Sequence, residues 1–155
     1  MTNIVKSTIF AMLYLLGNSL VGQVVSPQNT EASIIAEIKS IHGADAGNSI
    51  KGFLDNLKLY SRESNKCELS KMIEFPIWVT HHKKQLKIKD EKTFALKYAK
   101  IMNKKILSAI ESASIENLFV NHNGIMINRG EVWISCVIDE RDPKQCGLKI
   151  IRLNN

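Results

Sequence analysis

The sequence predicts an α+β fold in which N-terminal helices and one long helix pack on an antiparallel sheet. Apolar residues recur at helical spacing through much of residues 30–73 and again over 90–112, which indicates amphipathic helices. Residues 75–80 instead alternate apolar and polar side chains with period two, as half-buried strands do. The strands are expected to pair as antiparallel hairpins, and together with the helices they define the α+β class.

The N-terminal residues predict a secretory signal peptide over 1–22. Lys6 precedes a charge-free apolar run that is nearer in length to a signal-peptide core than to the roughly 20 residues of a membrane span. Cleavage is expected between Ser19 and Ser26, and the alternative interpretation is an uncleaved anchor helix. The remaining residues, 23–155, are expected to form one domain in the periplasm or outside the cell.

Composition and charge narrow the classes of partner. The chain has 155 residues, 45% of them apolar, which is enough to build one hydrophobic core. Its net charge is +6, so the exported domain could meet an acidic protein or an anionic envelope polymer. Export argues against nucleic acid as the natural partner.

Capping residues divide the first helical stretch into three helices. Gly43 is expected to end the first helix, and a loop over 44–47 to separate it from the second. Pro76 prevents the third helix from continuing. The residues expected to cap the three N-termini are Asn29 or Thr30, then Asn48 or Ser49, then Asn65.

A β-hairpin is predicted over 75–89, followed by the long helix. Trp78 lies on the face opposite the apolar stripe, and a tight turn at 83–84 would pair it with Lys89. Asp90 is expected to cap a helix that runs to about Ser112, with its apolar side on the sheet. The strands expected after it cover residues 118–127, 131–138 and 148–153, with a turn over 128–130.

The cysteines predict one disulfide. In an oxidising compartment, a suitably spaced pair is expected to be bridged. Placing Cys136 opposite Cys146 in an antiparallel pair also sets Ile134 opposite Leu148 on one apolar face, and register follows the buried face. The three cysteines show no CxxC spacing, which argues against a metal site. Cys67 is left over, and we expect it to be a half-buried helical thiol rather than a nucleophile.

The first hairpin is the candidate binding surface. Its basic residues crowd together, and no acidic residue follows Glu74 before Asp90. An exposed tryptophan beside basic groups is a plausible anchor for an acidic partner, because tryptophan is enriched at interface hot spots. The alternative is a solvated hairpin whose tryptophan is covered by another element. The residues of this surface are Trp78, His82, Lys83, Lys84, Lys87 and Lys89; the second tryptophan, Trp133, is expected in the core.

A resemblance to a known family is carried by the order of helices and strands and by residues 69–77, 88–98, 117–127, 130–134 and 148–154. These features resemble the nuclear-transport-factor-like (cystatin-like cone) superfamily, and in particular small exported bacterial proteins of that fold. The resemblance implies an α+β domain with a curved, cone-like sheet over residues 50–154. It implies little about function, because the superfamily includes isomerases, dehydratases, transport modules and binding proteins.

No catalytic, cofactor or metal site is predicted. Enzymes of the resembled superfamily generally place a carboxylate inside an apolar cone, where burial makes it a usable base. Here Asp90 is better explained as a helix cap, Glu116 as part of a helical turn and Glu131 as a rim residue. His42 and His122 are expected to be exposed. Two further histidines, His81 and His82, are adjacent on a strand and should point to opposite faces.

The sequence therefore favours a non-enzymatic exported binding protein, such as an immunity or inhibitor module that recognises a protein or an envelope component. The alternative is a small-ligand binder, or an isomerase- or dehydratase-like enzyme that uses the cone interior. A homodimer formed through the sheet face is a third interpretation.

Overall fold

A computed structural model describes residues 29–139 and 142–155 of the chain. The predicted signal peptide and its cleavage site lie outside these residues. None of the helices within the two ranges combines the length and the apolar character needed to cross a bilayer.

The predicted α+β class is confirmed, because the described residues form helices that pack on a six-stranded sheet. The α-helices are α1 (Glu31–His42), α2 (Ala44–Arg62), α3 (Lys66–Lys71), α4 (Glu91–Ile101) and α5 (Lys104–Glu111), with a 3-10 turn at Ile115–Asn117. The strands are β1 (Ile73–His81), β2 (Lys84–Ile88), β3 (Phe119–Asn121), β4 (Gly124–Ile127), β5 (Val132–Asp139) and β6 (Asp142–Asn154).

Three of the predicted helix caps are confirmed. The side chain of Thr30 accepts a hydrogen bond from the backbone N–H of Ser33, which closes a capping box at the start of α1. Asn65 and Asp90 accept equivalent bonds at the starts of α3 and α4. Each cap satisfies a backbone donor that has no partner inside the helix.

The loop predicted over 44–47 is wrong, because α2 begins at Ala44, directly after Gly43. The reason is close packing between α1 and α2. A Cβ atom on Gly47 would overlap the side chain of Lys39, so the small residues that suggested a loop instead let the two helices approach.

The long helix predicted over 90–112 is two helices. Met102 leaves the helical conformation (φ −88°, ψ 58°), and Asn103 then caps α5 by accepting a hydrogen bond from the N–H of Ile106. Both helices bury their apolar side, and the spacing of apolar residues is nearly continuous across the break. Periodicity alone therefore could not locate it.

The sheet is mixed and open rather than antiparallel throughout. Its strand order is β2-β1-β6-β5-β4-β3, with β2 and β3 at the edges. The central pair β1 and β6 is parallel, and every other neighbouring pair is antiparallel. Helices α4 and α5 connect the edge strand β2 to the opposite edge strand β3, and the meander that follows ends with β6 beside β1.

Both predicted hairpin registers are shifted by about two residues. Trp78 pairs with Lys87 instead of Lys89, because the turn lies one residue earlier, at His82 and Lys83, both with positive φ. Two positive-φ residues are typical of the tight turns that match strand twist. A shift of two keeps every side chain on its predicted face.

The predicted disulfide between Cys136 and Cys146 is present, with the two Cα atoms 5.4 Å apart. Cys136 lies opposite Leu148, and Cys146 opposite Ile138, so the bridge is diagonal rather than directly across the pair. The stretch predicted as one strand over 118–127 is the hairpin of β3 and β4.

The core fills the space between the helices and one face of the sheet, which we call the inner face. The sheet contributes aliphatic side chains that are almost fully buried, and Phe94 is the largest fully buried side chain opposite them. The inner-face residues with at most 2% exposure are Ile77, Val79, Ile88, Ile125, Ile127, Val132, Ile134, Ile150 and Leu153.

Candidate functional site

Every residue of the predicted hairpin surface is exposed to solvent. Trp78 keeps 46% of its surface accessible although it lies in the middle of β1. The basic residues of this surface project from the turn, from β2 and from the residue after it, and none of them forms an ion pair with a described residue. They are His82, Lys83, Lys84, Lys87 and Lys89.

The structure extends this surface across the whole sheet. Side chains that are register partners on neighbouring strands project to the same side, and here they form one row on the face opposite the helices, the outer face. With strands about 4.8 Å apart, the row spans roughly 24 Å. From edge to edge, this outer-face row consists of Lys87, Trp78, Arg152, Trp133, Met126 and Phe119.

Aromatic residues occupy every second strand of the outer-face row. Trp78, Trp133 and Phe119 lie on β1, β5 and β3, with Phe119 52% exposed. Cations fill two of the alternate positions, and the ammonium of Lys87 lies 5.6 Å from the centre of the Trp78 ring. That distance permits a cation–π interaction.

Trp133 was expected in the core, and this prediction is wrong. It lies half-buried on the outer face, because its neighbours in sequence, Val132 and Ile134, take the inner positions. Two glycines with positive φ make room for its indole. A Cβ atom on Gly124 would lie 3.5 Å from the ring, and one on Gly130 would lie 3.3 Å from the indole nitrogen.

A shallow concavity of about 350 Å³ lies beside this indole, lined by Asn123, Trp133, Ile151 and Arg152. Ile151 reaches the outer face because the pairing of β5 and β6 contains a bulge at this point. In this concavity a side chain of a partner would meet both polar and apolar groups.

Arg152 is the charged residue at the middle of the outer-face row. Within the described residues no carboxylate lies at ion-pair distance from it. Lys149, on the same strand, donates a hydrogen bond to the backbone oxygen of Lys71. By strand alternation Glu74 faces the same side as Trp78, but it lies about 13 Å away along β1. The centre of the outer face is therefore positively charged.

The two adjacent histidines do not point to opposite faces as predicted. His82 begins the turn with φ 48°, and its ring lies edge-on to that of His81 at 4.2 Å. Desolvation lowers the pKa of His81, and the positive charges of His82 and Lys100 lower it further. No group of three or more His, Cys, Asp or Glu side chains within residues 29–139 and 142–155 could hold a metal ion.

Two other sequence expectations need correction. His42 is half-buried rather than exposed, because its Nε2 atom donates to the backbone oxygen of Asn121, 2.9 Å away, and so ties α1 to the edge strand β3. Cys67 is exposed rather than half-buried. His122 is exposed, as predicted.

The three carboxylates considered as bases serve the fold or face solvent. Asp90 caps α4, and the hydrogen bond from the backbone N–H of Thr93 lowers its pKa. Glu116 is exposed. Glu131 is buried rather than at the rim: it accepts a hydrogen bond from the N–H of Arg129 (2.8 Å) and pairs with Lys105 (3.4 Å).

No protein-family model, curated protein or solved structure matches this chain. The resemblance to the nuclear-transport-factor-like superfamily therefore stays a prediction.

Proposed function

We propose that this protein is a non-enzymatic exported binding module of the immunity or inhibitor type, and that its outer sheet face recognises an acidic protein. One observation carries the proposal. The chain has two tryptophans, and both lie on the outer face as register partners of Arg152, which forms no ion pair with a described residue.

The composition of the outer-face row supports protein recognition. Exposed tryptophan and arginine are the residue types that dominate binding energy at protein interfaces. A row about 24 Å long approaches the width of a standard interface, which covers about 800 Å² on each partner. A partner of this size would cover the two indoles and Phe119 at once.

Charge supports an acidic partner. The lysines of the hairpin lie at one end of the row and Arg152 at its centre, all without an ion pair among the described residues. Cations at the rim of an interface mainly accelerate encounter with an oppositely charged partner, whereas a central charge contributes to the lifetime of the complex.

The disulfide supports an oxidising compartment, because such bonds persist in exported proteins and are rare in the cytosol. The inner face gives less support to the alternative of a ligand-binding or enzymatic cone. Its most deeply buried strand residues are aliphatic, and the buried carboxylate of Glu131 is occupied by Arg129 and Lys105.

Affinity capture with matched variants tests the proposal. The exported protein is immobilised, and the capture of proteins from the fluid of its own compartment is compared with that by a triple variant, Trp78→Ala, Lys83→Glu and Lys84→Glu. The control triple variant, Leu96→Ala, Lys92→Glu and Lys97→Glu, makes the same kind of change on exposed positions of α4.

We expect this triple variant of the hairpin, the hairpin variant, to lose an acidic captured protein that both the wild type and the α4 variant retain. Equal capture by all three proteins would reject the outer face as the binding surface. Loss only in the α4 variant would move the binding surface to the helices.

A further inference from the structure

We infer that Arg152, together with the two flanking indoles, forms a binding position for one carboxylate side chain of the partner, an aspartate or a glutamate. This inference rests on the proposed function and names the group that the surface would recognise. We call the set of Trp78, Arg152 and Trp133 the carboxylate position.

Strand pairing creates the arrangement. Arg152 on β6 is the register partner of Trp78 on one side and of Trp133 on the other. Side chains at directly paired positions have Cβ atoms roughly 5 Å apart. Arg152 therefore lies in the outer-face row with a tryptophan at the paired position on each neighbouring strand.

The chemistry of the three side chains favours a carboxylate. A guanidinium presents its donors in a planar fork that matches the two oxygens of a carboxylate. The chain already contains such a pair on its helical side, where the Nε of Arg62 donates to Glu111 over 2.8 Å and the Nη2 contacts the second oxygen. Arg152 has the same capacity but no described acidic neighbour.

The surroundings of Arg152 would strengthen such a pair. An ion pair in open water contributes little, whereas one from which water is partly excluded is stronger. The indoles provide apolar walls, and the concavity lined by Asn123, Trp133 and Ile151 provides space for the partner's side chain beside the guanidinium. Lys87 stands beyond Trp78 and adds positive potential.

Nuclear magnetic resonance can test the carboxylate position without a known partner. The two tryptophans give two indole N–H signals in the ¹⁵N-labelled exported protein, one on each side of Arg152. The probes are two capped pentapeptides, Gly-Ser-Glu-Ser-Gly and Gly-Ser-Gln-Ser-Gly, titrated to millimolar concentration. They differ in one charge and hardly in shape.

We expect the glutamate peptide to shift both indole signals, with an affinity at least ten-fold above that of the glutamine peptide. Arg152→Gln should abolish this preference, while Arg152→Lys should keep part of it, because a lysine retains the charge without the planar fork. Arg62→Gln is the control, since it removes an arginine from the helical side and should leave both titrations unchanged. The backbone amide spectrum of each variant verifies that it is folded.

The inference is overturned if the two peptides shift the signals equally, or if Arg152→Gln keeps the preference. Two other occupants are tested in the same way. Tighter binding of an oligogalacturonate than of the glutamate peptide would indicate an anionic glycan, and signals that move with protein concentration alone would indicate a second copy of this chain. Either result overturns the choice of a protein carboxylate.

Failure of the carboxylate position can be distinguished from failure of the proposed function. If the hairpin variant loses its captured protein while the peptides show no preference, the binding surface stands and the carboxylate position is rejected. If the peptides show the preference while capture is unaffected by the hairpin substitutions, the carboxylate position stands and its role in capturing the partner is rejected.

Discussion

Iodide should quench the tryptophan fluorescence of this protein more strongly than caesium, and replacing Lys87 and Arg152 by glutamine should remove most of the difference. Both tryptophans of the chain lie on the outer face beside these cations, so the whole signal reports on that face. An anionic quencher is drawn to a positive surface and a cationic quencher is repelled from it.

The size of the effect follows from the distance between charge and ring. The ammonium of Lys87 lies 5.6 Å from the centre of the Trp78 ring, and an iodide ion in contact with the indole lies at a comparable distance from it. Opposite unit charges so placed in water attract by about the thermal energy, and 0.1 M salt reduces this by roughly half. Iodide is then enriched about two-fold and caesium depleted about two-fold, so the ratio of their quenching constants rises about four-fold.

Stern–Volmer titrations at constant ionic strength measure these constants, each normalised to that of N-acetyltryptophanamide. The double variant Lys92→Gln and Lys97→Gln removes the same charge from α4 and should leave the ratio unchanged. A normalised ratio near one in the wild-type protein, or an equal loss in the two double variants, would refute the positive outer face.

Three further predictions concern stability, each measured by urea unfolding. Gly124→Ala should lower the free energy of unfolding by about 2–4 kcal/mol, because the added Cβ would lie 2.6 Å from a backbone oxygen and the residue has φ 143°. The control Gly52→Ala, at an open helical position, should instead raise this free energy by about 0.5–1 kcal/mol. Similar effects at both sites would contradict the packing at Gly124. Reducing the bond between Cys136 and Cys146 should cost about 2–3 kcal/mol from loop entropy, and an unchanged midpoint would argue against the bridge. The pKa of Asp90 is lowered in the folded state, so its contribution is present above the unfolded-state pKa and is lost as pH falls through the folded-state pKa. Asp90→Asn keeps the cap and should therefore lose less stability than the wild type between pH 7 and pH 3, whereas an equal loss would exclude this carboxylate as a source of acid sensitivity.

Local features of the fold could be predicted from the sequence because short-range chemistry decides them. Thr30, Asn65 and Asp90 cap helices through bonds to backbone groups three residues away, and no distant contact is needed. The alternation around Trp78 likewise assigned the correct face, since strand geometry alone determines it.

Features that depend on distant contacts could not be predicted. The break at Met102 interrupts an apolar stripe that is nearly continuous in sequence, and the parallel pairing of β1 with β6 joins segments about 75 residues apart. The small residues at 44–47 suggest a loop until the packing of α1 against α2 is known.

Only part of the candidate site could be predicted from the sequence, for the same reason. The basic hairpin is contiguous in sequence, so its exposed tryptophan and lysines could be recognised. Arg152 and Trp133 join it only through strand pairing across β6 and β5. One signal did exist: Val132 and Ile134 are both apolar, which places Trp133 on the opposite face, and Gly124 and Gly130 shortly precede it in sequence.

Oxidative footprinting of the captured complex tests the proposed binding face most directly. In the free protein, hydroxyl radicals should label Trp78 and Trp133 on the outer face as well as Leu59 and Leu96 on the helices, since all four are accessible at least in part. In the complex, we expect strong protection of both tryptophans and unchanged labelling of both leucines. Protection of the leucines with unchanged labelling of the tryptophans would contradict the account.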